Sequence, residues 1–142
     1  MIPLVAANYY EILGVNDRVQ LAEATAIMRD QINLEVMANG VTLIDPPTTF
    51  IDVTVEIESD VTIKPGCQIE GATRIGRGSL IGPDTRLFNC TVGSDAVVIK
   101  SECDGASIGN HAHVGPYSFL RPGAHLGEGA KVGSFVEVKN ST

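Results

Sequence analysis

The chain has 142 residues, a formal net charge of −7, 44% hydrophobic residues and 5% aromatics with no Trp. That length suits one ordinary domain, or one domain with an appended arm, and the apolar share argues against wholesale disorder. The acidic balance and thinly spread Lys and Arg argue against a nucleic-acid or anionic-membrane partner, and leave room for a local basic site.

Residues 1–7 are apolar but have no basic start and are broken by Pro3, so they do not read as a signal peptide. No apolar stretch is long enough to span a bilayer. The first segment, residues 1–16, reads as strand or loop interrupted by Gly14, and cannot build a core alone.

Residues 17–39 read as a helix. Asp17 is the expected N-cap, with Gln20 as its capping-box partner. Leu21, Ala24, Met28, Ile32 and Val36 recur at three- and four-residue steps and are expected to share one face. Asn39-Gly40 supplies the stop, because Gly takes the left-handed conformation at no steric cost. Asp45-Pro46-Pro47 forbids further helix.

From Phe50 onward an aliphatic recurs every sixth residue: Ile51, Ile57, Ile63, Ile69, Ile75, Ile81 and Leu87. The period slips by one at Val92, resumes at Val98, and is expected to be broken by an insertion over residues 101–107. It returns in a new phase at Ile108, Val114, Leu120, Leu126, Val132 and Val138. The residue four after each aliphatic is small or β-branched: Val55, Val61, Cys67, Thr73, Ser79, Thr85 and Thr91, then Ala112, Ser118, Ala124, Ala130, Val136 and Thr142. A period of six matches neither a helix nor a simple strand. It is the signature of a hexapeptide β-solenoid, in which three hexads make one triangular coil and coils stack through parallel ladders roughly 4.8 Å apart. The aliphatics fill the prism and small side chains fit its corners. Gly after many of the aliphatics, as at Gly76, Gly93 and Gly109, is read as a tight turn. Residues 51–142 make about five coils at this repeat.

Cys67, Cys90 and Cys103 form no C-x-x-C pair and read as buried free thiols of a reducing compartment. Gly-x-Gly runs such as Gly76 to Gly78 are repeat turns, since no helix follows them.

A solenoid is a scaffold, so the informative positions are those that break its repeat. After the aliphatic, the second run has Gly109, Gly115, Arg121, Gly127, Gly133 and Lys139. Arg121 and Lys139 are eighteen apart, one full coil, which places them on one prism face on adjacent rungs. A guanidinium fork beside an ammonium suits a phosphate. The alternative is a pair of solvated surface cations with a nearby carboxylate such as Glu137. Lys64 holds the equivalent place in the first run, but Gly82 stands one coil away, so Lys64 reads as a solvated side chain. His111 and His113 are expected to alternate across a strand, with His125 in a turn. All three read as surface or interface histidines. Asp104-Gly105 reads as a turn within the insertion.

Four stretches in order carry a family resemblance: Gly14-Val15-Asn16-Asp17-Arg18-Val19-Gln20-Leu21, Gly40-Val41-Thr42-Leu43-Ile44-Asp45-Pro46, Leu120-Arg121-Pro122-Gly123-Ala124, and Val132-Gly133-Ser134-Phe135-Val136-Glu137-Val138-Lys139. The chain resembles the bacterial bifunctional N-acetylglucosamine-1-phosphate uridyltransferase/glucosamine-1-phosphate N-acetyltransferases over nearly its whole length. The resemblance implies a mostly β fold, a left-handed parallel β-helix preceded by a long linker helix. It implies residues 1–16 as the end of a nucleotidyltransferase domain, 17–40 as the linker helix, and 41–142 as a β-helix incomplete at its C-terminal end. The implied chemistry is acetyl transfer from acetyl-CoA to glucosamine-1-phosphate. A magnesium-dependent uridylyl transfer from UTP then gives UDP-N-acetylglucosamine for peptidoglycan and lipopolysaccharide precursors.

By the same resemblance Arg121 and Lys139 match residues that hold the sugar phosphate. Asn16 matches a nucleotide-binding residue and Mg²⁺ ligand; read from the residues alone, Asn16 merely caps the helix. The family's general-base histidine falls beyond Lys139 and none of His111, His113 or His125 matches it, so the chain has no assigned catalytic residue. It is expected to be an internal fragment, inactive alone, from a cytoplasmic homotrimer acting on phosphosugar and nucleotide substrates. Other readings of the repeat are a different hexapeptide acyltransferase, a γ-class carbonic anhydrase and a non-catalytic trimeric scaffold. The spacing of His111 and His113 suits the carbonic anhydrase poorly.

Overall fold

The computed structural model describes residues 14–140. The expected strand or loop over residues 1–13 lies outside them. A helix, Arg18–Ala38, comes first. The Asp17 side chain accepts from the Gln20 N–H at 2.8 Å, so the expected N-cap forms. The Gln20 side chain reaches back to the Asn16 N–H at 2.7 Å, one residue before the cap. Gly40 closes the helix at φ +93°.

The expected single apolar face divides in two. Ile32, Val36 and Met37 pack against the solenoid core, whereas Leu21, Met28 and Val15 gather around Ala24. The sequence stripe is real, but only its C-terminal half meets the β-helix. A residue the apolar pattern passes over fixes the junction. Asn33 is 1% exposed, and its Nδ2 donates to the carbonyls of Pro46 at 3.0 Å and Thr49 at 3.2 Å. It ties the helix to the 3-10 turn Pro46–Thr48.

The remaining chain is a three-sided parallel β-helix. Sheet one stacks six strands: Thr42–Leu43, Thr62–Ile63, Leu80–Ile81, Val97–Val98, His113–Val114 and Lys131–Val132. Sheet two stacks Phe50–Ile51, Gln68–Glu70, Arg86–Phe88, Glu102–Asp104, Phe119–Leu120 and Glu137–Val138. Sheet three stacks Glu56–Ile57, Arg74–Ile75, Thr91–Val92, Ser107–Ile108 and His125–Leu126. The solenoid thus begins at Thr42, a rung before the regular hexads. Strands this short hold no shape alone. Each is fixed by the coil above and the coil below.

Every sixth-residue aliphatic points inward. Ile63, Ile69, Ile81, Leu87, Val98, Val114 and Leu120 are fully buried. Each such side chain contributes about 1.5–3 kcal/mol of burial. Polar corner residues satisfy themselves on backbone. Ser79 Oγ donates to the Gly93 carbonyl at 2.8 Å and accepts from the Ala96 N–H at 3.1 Å, which explains why a hydroxyl is tolerated there.

Five expectations change. No insertion exists at residues 101–107. Glu102–Asp104 is a regular rung, and the repeat instead shortens to five residues between Val98, Cys103 and Ile108. Cys103 stands in the aliphatic column between Leu87 and Leu120, so a search for aliphatics alone misses it. Asp104 accordingly belongs to a strand, and only Gly105 turns, at φ +60°. The corner residue before Val92 is Cys90, not Thr91: Cys90 is fully buried, whereas Thr91 opens its strand facing outward. The histidines also exchange roles. His111 is in a turn at φ +60°, whereas His113 and His125 sit in strands. Finally, Gly76 has an ordinary negative φ. A Cβ there would lie 2.6 Å from the Gly93 carbonyl carbon, so the close approach of the next coil demands glycine, not a tight turn.

Candidate phosphate-binding site

The site is built by register. On sheet two, Phe119 pairs with Glu137 and Leu120 with Val138. Leu120 is fully buried, and Val138 packs against the same core. Because side chains alternate across a strand, Phe119 and Arg121 on one rung and Glu137 and Lys139 on the next project outward together. The Arg121 N–H donates to the Val138 carbonyl at 2.8 Å, which carries the ladder up to the cationic pair.

One carboxylate lies against both cations. Arg121 Nε donates to Glu137 Oε2 at 2.7 Å, and Lys139 Nζ stands 3.7 Å from Glu137 Oε1. The structure therefore brings the expected pair onto one wall and supplies the carboxylate that relieves their repulsion. The hydrogen bond from Arg121, helped by the nearby Lys139 charge, holds the Glu137 carboxyl below its ordinary value. The Arg121 guanidinium also lies over the Phe119 ring, 5.3 Å from its centroid. All of these groups are substantially exposed, with side-chain accessibilities of 51% for Arg121 and 67% for Lys139. A recess of about 400 Å³ on sheet two, with Gln68, Arg86, Lys100 and Glu102 in its lining, does not include the pair.

Asn16, the other expected site residue, is exposed and lies just before the helix and its Asp17 cap. Beside it, Asp17 already spends its carboxylate on the helix cap. Among the described residues no group of three His, Cys, Asp or Glu side chains is placed to hold a metal. The histidines do not approach the cationic pair through the ladder: His113 is on sheet one and His125 on sheet three. Lys64 leads the exit from a sheet-one strand, with Gly82 beneath it in the next coil. Burial raises all three thiols. Cys67 reaches about 11, and Cys90 and Cys103 are likewise pushed up by desolvation, so none is a ready nucleophile. Among the described residues no helix is long and apolar enough to cross a membrane.

The family model described as bacterial transferase hexapeptide (six repeats) matches residues 105–140, the stretch that contains the pair. The bifunctional protein GlmU of Streptomyces coelicolor is 48% identical over 138 residues, which is 97% of this chain and 29% of that protein. The GlmU of Mycobacterium marinum is 52% identical over 131 residues, 92% of this chain and 27% of that protein. Over nearly its whole length the chain is similar to one part of these GlmU proteins. It spans less than a third of the length of these relatives. Among solved structures, a mutant perosamine N-acetyltransferase from Caulobacter crescentus, crystallised with CoA and GDP-perosamine, superimposes with a TM-score of 0.64. That match is at 18% identity and covers 83% of this chain and 60% of that one. At such identity the likeness concerns the β-helix alone.

Proposed function

We propose that the chain carries the sugar-phosphate end of a glucosamine-1-phosphate N-acetyltransferase site within a bifunctional enzyme that makes UDP-N-acetylglucosamine. The observation that carries this reading is the placement of Arg121 and Lys139 on adjacent rungs of one face, in a sequence similar to part of GlmU. The two cations grip the phosphate, Arg121 through its fork and Lys139 as a point charge. Gripping the phosphate orients the sugar so that its amine faces the thioester of acetyl-CoA. The amine nitrogen then bonds to the acetyl carbon, the C–S bond breaks, coenzyme A leaves as the thiolate, and the amine proton passes to a base. Among the described residues no histidine lies on a strand of sheet two.

In this reading residues 1–16 end a nucleotidyltransferase domain, 17–40 form the linker helix and 41–142 form the acetyltransferase β-helix. The open character of the pair supports a homotrimer, in which a neighbouring copy walls in the phosphate. Asn16 would offer one amide oxygen to the Mg²⁺ of the uridylyl step. The described residues around it do not make a magnesium site. The enzyme works on soluble phosphosugars and nucleotides, in keeping with a cytoplasmic location.

The test is calorimetry with glucosamine-1-phosphate together with an acetyl-CoA consumption assay on the same preparation. Binding that Arg121→Ala weakens about tenfold or more, without turnover by these 142 residues, is the expected outcome. Wild-type affinity in Arg121→Ala would refute the phosphate assignment, and turnover by the chain alone would refute its inactivity.

A further inference from the structure

The structure assigns Phe119 as the positioning residue that presets Arg121 for its anion, an inference that rests on the phosphate reading above. Two contacts hold the guanidinium, from different sides. Glu137, across the ladder, takes the Nε–H at 2.7 Å. Phe119, two residues back on the same strand, offers its ring face at 5.3 Å. Among the described residues Nε makes the only side-chain hydrogen bond of Arg121, which leaves the terminal nitrogens for a ligand. A guanidinium held through Nε and one π-face has lost most of its rotamer freedom before the anion arrives, so less is lost on binding.

The same sheet contains a natural control. Arg86 Nε is 2.7 Å from Glu70 Oε1, on the preceding rung, and its guanidinium lies 5.5 Å from the Phe88 centroid. Sheet two thus holds an arginine the same way twice. At Arg86 the register neighbours are Gln68 and Glu102, so no cation stands in register with it, and Lys100 joins it only as part of the lining of the recess. At Arg121 the next rung brings Lys139. The aromatic-and-carboxylate clasp is therefore a device for aiming arginine, and only the Arg121 copy has a second positive charge in register on the next rung. Phe119 is 36% exposed, an outward aromatic that the core does not require.

The experiment uses the whole chain and follows the Arg121 Nε–Hε resonance, assigned with Arg121→Lys. Its side-chain order parameter is measured without ligand. Its shift is then measured on titration with inorganic phosphate and with glucosamine-1-phosphate. In Phe119→Leu, which keeps an apolar side chain, the Arg121 order parameter falls and the dissociation constant rises about two- to fivefold, the scale of an exposed cation–π contact. Phe119→Tyr restores both. Unchanged order and affinity in Phe119→Leu, with binding still weakened in Arg121→Ala, would overturn the positioning role and leave the phosphate reading standing. A wild-type resonance that neither anion shifts would overturn the phosphate reading and the inference with it.

Discussion

Arg121 and Lys139 stand one coil apart on sheet two, and the carboxylate of Glu137 reaches both, at 2.7 and 3.7 Å. Two like charges at this spacing repel, and the carboxylate between them makes the arrangement tolerable in the absence of an anion. An incoming phosphate meets two cations and one competitor. Glu137→Gln removes the competitor and keeps the shape. Inorganic phosphate is expected to bind Glu137→Gln severalfold more tightly than the parent, as read by calorimetry at low salt.

The same carboxylate gives a pH signature. Arg121 lowers the folded-state value of Glu137, so the ion pair's stabilising contribution is present above the ordinary carboxylate value and is lost as pH falls through the folded value. An NMR titration of the Glu137 carboxyl carbon is expected to show a midpoint below that of an unstructured glutamate. Arg121→Ala is expected to move the midpoint back up.

The buried thiols predict an alkaline weakness. Burial raises Cys67 to about 11 and raises Cys90 and Cys103 as well. A group whose folded value is raised contributes stability that is complete below its unfolded value, near about 8.5, and is lost as pH rises towards the folded one. The unfolding free energy from urea denaturation is expected to fall above that pH, with a limiting slope of about 1.4 kcal/mol per pH unit for each thiol that ionises on unfolding. Disulfide-exchange reagents should label the three cysteines only after denaturation.

Two core substitutions separate the repeat from its ornaments. Ile81→Ala opens a cavity in a fully buried column and is expected to cost about 2–5 kcal/mol in chemical denaturation. Asn33→Ala strips two buried carbonyls of their donor and is expected to cost about 1–3 kcal/mol, with loss of helix docking seen as faster amide exchange in residues 29–37.

Much of this was legible in the residues. An aliphatic every sixth position admits one architecture, and the eighteen-residue coil then places Arg121 over Lys139 with no further information. The helix cap at Asp17 was legible because capping is local. Cys103 was not, because a thiol in an aliphatic column carries no pattern of its own, and the five-residue steps around it disguise a rung as an insertion. Asn33 was missed because a polar residue on a helix reads as solvent-facing until the Pro46–Thr48 turn is seen against it. Phe119 was missed because outward positions of a solenoid are unconstrained by its period, so nothing in the spacing marks an aromatic that holds an arginine.

The account rests on one phosphate held by two rungs. A double-mutant cycle on Arg121→Ala and Lys139→Ala, read as glucosamine-1-phosphate affinity, tests it most directly. Each single substitution is expected to weaken binding about tenfold or more, and the double to weaken it by less than the product of the two, because both side chains grip the same group. Strictly independent effects, or singles that leave affinity unchanged, would contradict the shared clamp.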